Sequence, residues 1–270
     1  MGKRRIRTLT AMCVLALAAV LSMGVSPATA KPMPTVVLVH GAFADTTSWD
    51  PVAAELRGRG YDVVVPSNPL RGPAYDSATI EKVLADIPGP VLLVGHSYGG
   101  VVITNTHAPN VAGMVYVAGF APAQGEPAMA ALNPLTFPGS QLVPPTLQVK
   151  MVDDPTNPVG KNLDAYIDPS HFHQAFCQDV SDATAAEMIA HQRSLALVAN
   201  LEPTQDPSWA HLPTWAVIPD QDRVIPPASE RSMAERAGAQ ITDIPGASHA
   251  VLMSQPGQVA GVIERAAASL

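Results

Sequence analysis

The sequence predicts an α/β fold in which helices cover both faces of a mostly parallel central sheet and a cap is inserted near the middle. Short β-branched or apolar runs alternate with helical patterns over residues 35–117, and the alternation resumes from residue 214 onward. Between these stretches, residues 122–207 do not follow this alternation, and prolines recur every few residues. The alternation predicts the parallel sheet, and the interruption predicts the cap.

The first strand is predicted at Thr35–Val39, where the run TVVLV is typical of a strand that is covered on both faces. Asp50 and Pro51 then form the pattern of a helix N-cap followed by a first-turn proline, and Gly58 and Gly60 end that helix. The next predicted elements are a strand at 62–65, a helix capped by Asp76 or Ser77, a strand at 91–94, a helix from Tyr98 to about Thr106 and a strand at 114–117.

Residues 122–207 are too long for a plain connection, and loops of this size are usually functional lids or disordered. One helix is predicted there, from Ser181 or Asp182 to about Ala199. After the cap, the predicted elements are a strand at 214–218, a helix at 227–237, a strand at 240–244 and a last helix with Val259, Val262, Ile263 and Ala266 on one face.

The first thirty residues have the pattern of a signal peptide. A basic segment contains Lys3, Arg4, Arg5 and Arg7 and precedes an apolar run at 11–20, and Ala28-Thr29-Ala30 provides a small-residue cleavage site. The apolar run is shorter than the roughly 20 residues that a membrane-spanning helix needs. We therefore expect cleavage after residue 30, export to the periplasm or medium by a route left open, and a single mature domain at 31–270 without a membrane anchor.

Removal of residues 1–30 takes four basic and no acidic residues and lowers the formal net charge from −7 to −11. An acidic chain without basic clusters argues against nucleic acids and anionic membrane surfaces as partners. Cys177 is the only cysteine left after cleavage, so no internal disulfide is expected. Its side chain is interpreted as a small buried hydrophobic group, with a reactive thiol as the alternative.

The candidate nucleophile is Ser97, in the pentapeptide Gly95-His96-Ser97-Tyr98-Gly99. This matches G-x-S-x-G with a strand before it and a helix after it, the context in which a tight turn lifts the serine hydroxyl above the sheet. Side chains at 95 or 99 would collide with neighbouring backbone, and the start of the helix offers N–H groups to an oxyanion. The alternative is an ordinary strand-to-helix turn.

A serine nucleophile needs a base, and the base needs a carboxylate that fixes its tautomer. These partners are expected after later strands in the order acid, then histidine. Asp222 and His249 follow the strands predicted at 214–218 and 240–244 and are the candidates. Asp220 competes with Asp222 for the acid role, and a surface loop histidine is the alternative for His249. His171 and His173 could suggest a metal pair, but no third ligand is evident, and cap packing or substrate contact is preferred.

With these residues assigned, the chain resembles the α/β-hydrolases, in particular the branch of esterases and hydroxynitrile lyases that includes plant methyl esterases. The segment from His40-Gly41 to Trp49 has the spacing of that branch, and Asp220-Gln221-Asp222 before an apolar link and proline is also similar. The resemblance implies an α/β-hydrolase fold and an oxyanion hole built from the backbone N–H groups of Ala42 and Tyr98. It also implies that Phe43 lines the substrate pocket.

The cyanogenic lyases of that branch have a threonine after the first histidine of this segment and a lysine after the catalytic histidine. This chain has Gly41 and Ala250 at those positions. A departing cyanide anion would therefore lack its cation, which argues against the lyase reaction. The expected protein is an exported, cofactor-free serine hydrolase that cleaves small to medium, mostly apolar carboxylic esters. A ligand receptor and a cofactor-free perhydrolase on the same scaffold are the alternatives.

Overall fold

The computed structural model describes residues 33–270, so the predicted signal peptide at 1–30 lies outside the described residues. The strands are β1 (Thr35–Val39), β2 (Val63–Val64), β3 (Val91–His96), β4 (Val111–Val117), β5 (Leu147–Asp153), β6 (Lys161–Ile167), β7 (Leu195–Ala196), β8 (Thr214–Pro219) and β9 (Gln240–Ile244). The α-helices are α1 (Asp50–Gly58), α2 (Pro73–Ala85), α3 (Tyr98–Thr104), α4 (Pro169–Phe176), α5 (Asp182–Ala190), α6 (Pro227–Arg236), α7 (Val251–Ser254) and α8 (Pro256–Ala268).

The central sheet has six parallel strands in the order β2-β1-β3-β4-β8-β9. Strand β1 shows why both faces are covered. Val36 and Leu38 pack into the core beside α1 and α8, whereas Val37 and Val39 pack into the opposite core beside α2 and α3. Successive strand residues point to opposite faces, so a fully apolar strand needs helices on each side. The predicted α/β fold with a mostly parallel sheet is confirmed.

Several predicted boundaries were wrong, and tertiary contacts explain the differences. Helix α2 begins at Pro73 and not after Asp76. Asp76 lies inside its first turn, where the buried carboxylate accepts hydrogen bonds from the backbone N–H groups of Arg71 and Gly72. It therefore stabilises the helix start from within instead of serving as the N-cap.

The helix predicted from 181 or 182 to 199 ends at Ala190, where α5 stops. The following residues enter β7, where Leu195 is the register partner of Ala165 in β6, and the backbone N–H of Ala196 donates to the carbonyl of Leu70. The side chain of Gln192 also bonds both backbone groups of Ile167. These contacts with distant segments satisfy the backbone outside a helix, which a local pattern does not reveal.

Between β4 and β8, the chain forms a second sheet and two helices. Strands β5 and β6 pair antiparallel over their whole lengths, and β7 joins β6. Helices α4 and α5 follow the β5–β6 hairpin, and His171 and His173 lie on α4. The sequence indicated one helix here and missed the hairpin, because Val149 and Met151 of β5 are exposed and provide no buried apolar run. That this segment covers a substrate pocket stays a prediction.

Arg71 joins the second sheet to the main domain. Its guanidinium contacts Asp164 at 3.0 Å and 2.6 Å and Asp154 at 3.1 Å, and Asp164 also accepts from the Ser194 hydroxyl at 2.7 Å. Burial opposes the ionisation of Asp154, but hydrogen bonds from Thr156 and other neighbours, including Arg71, hold its pKa well below the usual range. Both carboxylates are buried, so they depend on Arg71 for their counter-charge.

Within residues 33–270, no helix combines the length and the apolar character required to span a bilayer.

Replacing Arg71 with methionine should lower the free energy of unfolding by about 3–5 kcal/mol, because it leaves two buried carboxylates without a counter-charge. Urea denaturation at pH 7 measures the loss. Arg59→Met is the matched control, since Arg59 pairs with Glu55 and Glu264 at the surface and should change stability little. Equal effects of the two changes would contradict the anchoring role of Arg71.

Candidate active site

Ser97 occupies a strained turn between β3 and α3. Its backbone has φ +52° and ψ −122°, a conformation that non-glycine residues rarely adopt. The Ser97 N–H donates to the carbonyl of Val117 at 3.2 Å, which ties the turn to the end of β4. Such strain persists only where the surroundings enforce it. The serine predicted from the pentapeptide therefore stands where a strand, a helix and a neighbouring strand end converge.

The glycines around Ser97 allow this close packing. A Cβ atom at Gly95 would lie 2.6 Å from the carbonyl oxygen of Gly99, and a Cβ at Gly41 would lie 2.7 Å from the Cβ of Ser97. Real Cβ atoms do not tolerate such contacts, so larger residues would displace the turn. In this chain, Gly41 therefore packs directly against the Ser97 turn.

The two predicted oxyanion donors remain available. The backbone N–H groups of Ala42 and Tyr98 donate to no acceptor in the part of the chain that the structure describes, whereas the neighbouring Phe43 N–H donates to the Arg193 carbonyl at 3.0 Å. The Tyr98 hydroxyl donates to Asp76 at 2.9 Å and secures the first residue of α3 against the start of α2. Both free amides could therefore bind an oxyanion.

Of the two candidate acids, Asp222 contacts His249, whereas Asp220 does not. The Nδ1 of His249 lies 2.6 Å from Oδ2 of Asp222, while Oδ1 of Asp222 accepts from the N–H groups of Val224 at 2.7 Å and Ile225 at 2.9 Å. These two backbone donors fix the orientation of the carboxylate towards the imidazole. Asp220 is exposed, and its carboxylate accepts from the N–H of Gly246 at 2.6 Å, as a turn-forming aspartate does.

The His249 imidazole is fully buried, and Phe176 and His96 pack against it with ring centroids at 4.8 Å each. With Nδ1 held by Asp222, the tautomer that donates from Nδ1 leaves a lone pair on Nε2. Nε2 has no hydrogen-bond partner among residues 33–270, so it is not bonded to the Ser97 hydroxyl here. The structure brings the acid and the base together and keeps the proton-accepting nitrogen unoccupied.

His96 is a site residue that the sequence analysis missed. Its Nε2 is 3.0 Å from the carbonyl oxygen of His249 and therefore donates to it. Burial, followed by the nearby His249, holds the pKa of His96 well below the usual range, so this imidazole is neutral. His96, the residue before Ser97, is thus bonded to the backbone of His249, the predicted base. Its place in the pentapeptide was the available signal.

His40, just before the predicted oxyanion donor, is also held neutral. Its Nδ1 lies 2.9 Å from the Gly41 carbonyl and its Nε2 accepts from the Asn68 N–H at 3.0 Å, which defines one tautomer. Burial lowers the pKa of His40 to about 4. A second proton would have to occupy Nε2, where it would face the N–H of Asn68. Folding therefore favours the uncharged form.

Phe43 was predicted to line the substrate pocket. It is buried and lines a cavity of about 310 Å³ together with Met188 of α5 and Met253 of α7. The remaining lining residues are Ala44, Asp45, Thr47, Ser48, Asp50, Pro51, Glu187 and His191. None of the three predicted triad residues is among the described residues that line this cavity. The substrate role of Phe43 stays a prediction.

The remaining candidates are the two histidines of α4 and Cys177. His173 lies 3.2 Å from Asp182 and bonds the Val180 carbonyl, and His171 lies 3.7 Å from Asp168. Cys177 is fully buried, and burial raises its pKa to about 12, so the thiol form dominates. The thiolate is the reactive form, so this environment agrees with the interpretation of Cys177 as a small buried hydrophobic group.

Fold and site together define an α/β protein that presents a serine at a strand–turn–helix corner and a buried histidine–carboxylate pair beside it. A family model described as the alpha/beta hydrolase family matches residues 36–262. The match covers most of the chain, and the chain belongs to this family. The family resemblance inferred from the sequence is confirmed.

A carbendazim hydrolyzing esterase from Nocardioides sp. (strain SG-4G) is 36% identical over 115 residues. The matched segment covers 37% of this chain and 48% of that protein, so the chain spans about half the length of this curated relative. Polyneuridine aldehyde esterase is similar in structure, with a TM-score of 0.74, 18% identity and coverage of 87% of this chain and 99% of that one.

A pyrethroid hydrolase from Sphingobium faniae JZ-2 has a TM-score of 0.71 and 22% identity, with coverage of 88% of this chain and 98% of that chain. At such identities, the two solved structures establish a shared fold. The function of this chain has to be argued from its own site.

Acidification should destabilise the protein through His40. Between pH 6.5 and about 4 the unfolded chain takes up a proton at this position and the folded chain does not, so stability falls as pH drops through this range. The loss attributable to His40 should reach about 3 kcal/mol.

Urea denaturation at pH 7 and pH 4.5 measures this loss. His40→Gln keeps an acceptor for Asn68 and should lose less stability on acidification than the wild type. His211→Gln changes an exposed histidine and serves as the control. An identical acid response in the wild type and His40→Gln would refute the buried neutral state.

Proposed function

We propose that this protein is a serine hydrolase that cleaves carboxylic esters through Ser97, His249 and Asp222. The observation that carries the proposal is the buried 2.6 Å contact between His249 and Asp222, with Nε2 unoccupied. Ser97 lies on a strained turn whose preceding residue, His96, is bonded to the His249 carbonyl. A hydroxyl is a poor nucleophile until a base removes its proton, and these groups supply the base and its orienting carboxylate. Membership of the alpha/beta hydrolase family supports the same reaction class.

In the proposed reaction, the Ser97 oxygen attacks the ester carbonyl while Nε2 of His249 accepts the serine proton. Asp222 keeps the imidazole in the tautomer with its proton on Nδ1 and stabilises the imidazolium that forms. The backbone N–H groups of Ala42 and Tyr98 bind the oxyanion, and each such donor is typically worth about 2.7–4 kcal/mol in rate. His249 then gives its proton to the leaving alcohol.

The acyl group remains on Ser97 as an ester, and a water molecule deprotonated by His249 releases it by a second attack. No cofactor enters any of these steps. The substrates we propose are small to medium, mostly apolar esters, and the cap role of residues 122–207 belongs to this proposal. Phe43 is its proposed substrate-binding residue because it directly follows Ala42, one of the proposed oxyanion donors. Export of residues 31–270 after cleavage at residue 30 is proposed from the N-terminal pattern alone.

Ser97→Ala should abolish turnover of p-nitrophenyl acetate and butyrate, because the only other hydroxyl of the pentapeptide, that of Tyr98, is bonded to Asp76 and cannot replace the nucleophile. Release of p-nitrophenol by the purified 31–270 chain measures the rate. Multiple turnovers by the wild type that disappear in Ser97→Ala support the hydrolase. A single slow turnover points instead to a receptor on the same scaffold, and peroxide-dependent halogenation points to a perhydrolase.

Asp222→Asn should lower kcat by about ten-thousand-fold, since an amide favours the wrong tautomer of His249. Asp220→Asn makes the same charge change two residues away on an exposed side chain and should keep a rate close to that of the wild type. Steady-state kinetics at pH 7.5 compare the two variants. A larger loss in Asp220→Asn than in Asp222→Asn would reverse the assignment of the acid.

A further inference from the structure

Glu230 is a buried carboxyl group that the proposed mechanism does not use. It lies in the first turn of α6, and only 3% of the residue is exposed. One of its oxygens, one oxygen of Asp222 and one ring nitrogen of His249 all lie within 4.8 Å of one another. Two buried carboxyl groups therefore lie close together beside the predicted base, His249, and a buried carboxyl group needs a hydrogen-bond partner.

No N–H or O–H of the described chain donates to either oxygen of Glu230. The nearby cations of α6 are engaged elsewhere, since Arg231 pairs with Asp243 and Arg236 pairs with Glu126. The ionisable groups that face Glu230 are Asp222 and, through it, His249. Towards the sheet, Glu230 borders a small pocket of about 10 Å³ with Tyr116, Ala216 and Ile218 in its lining.

A charged carboxylate is costly in this setting, because burial and a neighbouring negative charge both disfavour ionisation. Burial first, and then the charge and hydrogen bond of Asp222, raise the pKa of Glu230 well above its usual range. A neutral carboxyl has one O–H to donate. Such a group needs donors less than a carboxylate does, and it has a proton that it can give to the carboxylate of Asp222 nearby.

Asp222 has an acceptor position left for this proton. Its Oδ1 already accepts from the two backbone N–H groups of Val224 and Ile225, and its Oδ2 accepts from His249 alone. Each carboxylate oxygen offers about two acceptor positions, so one remains on Oδ2. Donation there would complete the hydrogen bonding of the buried carboxylate that faces the imidazole.

We propose that Glu230 is a positioning residue, which as the neutral acid donates its proton to Asp222 and holds that carboxylate against His249. The link to catalysis rests on the proposed function, whereas the shared proton does not. A cation bound by the same three residues is a poorer account. Ligand distances of about 2.0–2.2 Å on each side of a zinc ion would push Nδ1 and Oδ2 beyond their 2.6 Å contact.

The shared proton predicts how stability depends on pH. Above the ordinary pKa of a glutamate, the unfolded chain releases a proton that folded Glu230 keeps, so folding takes up one proton. The unfolding constant of the wild type, relative to that of Glu230→Gln, should therefore rise about tenfold per pH unit between pH 5 and 7. Urea denaturation at several pH values measures this ratio.

Glu235→Gln is the matched control, because it makes the same side-chain change at an exposed position of α6. Its unfolding constant should keep a constant ratio to that of the wild type over the same pH range. A constant ratio for Glu230→Gln as well would mean that Glu230 is ionised in the folded protein, and the proposal would be overturned.

The positioning role predicts different kinetics for two Glu230 variants. Glu230→Gln still donates an N–H to Asp222 and should keep the acid limb of the pH–rate profile of kcat/KM. Glu230→Met fills a similar volume without a donor, which leaves Asp222 a stronger acceptor for the His249 proton. The acid limb should move to higher pH, and kcat at pH 7 should fall about tenfold. Equal profiles for both variants would show that Glu230 only fills space.

The two measurements separate failure of this proposal from failure of the proposed function. If the wild type hydrolyses no ester, the denaturation series still reports the shared proton. The protonation of His249 can then be followed without substrate by NMR of its imidazole. This imidazole should take up its proton at higher pH in Glu230→Met than in Glu230→Gln. Coincident titrations of the two variants would overturn the positioning role.

Discussion

The hydrogen bond between His249 and Asp222 is the interaction around which the site is organised. It joins the loops after β8 and β9 inside the protein, and both side chains are buried. A buried carboxylate is stable only when donors surround it, and Asp222 has two backbone N–H groups in addition to the imidazole. The loop therefore has to fold tightly around Asp222, and the imidazole on the adjacent loop is held in one tautomer.

The second constraint is the close approach of three backbone segments around Ser97. Gly95 and Gly41 allow strand ends to touch the turn, and His96 reaches from that turn to the carbonyl of His249. The nucleophile and base candidates are thus coupled through the backbone as well as through their side chains. Neutral imidazoles at His40 and His96 make the same region sensitive to acid, because protonation would require desolvated charges to be accommodated.

The sequence predicted the parts of this architecture that depend on local pattern. The strands of the central sheet, the turn at Ser97 and the positions of Asp222 and His249 after two strands are all local features. The β5–β6 hairpin was missed, because β5 is exposed or half-buried throughout and the buried positions of β6 include the charged Asp164, so neither strand gives a strong apolar signal. The end of α5 at Ala190 was also missed, because the pairing of β7 with β6 ends that helix.

By itself, the sequence determined the fold class and the order of the candidate site residues. The β-branched runs, the glycine spacing and the strand ends each depend on residues that are close together in the chain. Only the tertiary structure decided which aspartate meets His249, and it brought His96 and Glu230 to the same place. Those outcomes depend on burial and on contacts between segments far apart in the chain. The spacing to the apolar link and proline favoured Asp222 over Asp220, and the structure buries Asp222 among backbone donors while Asp220 faces solvent.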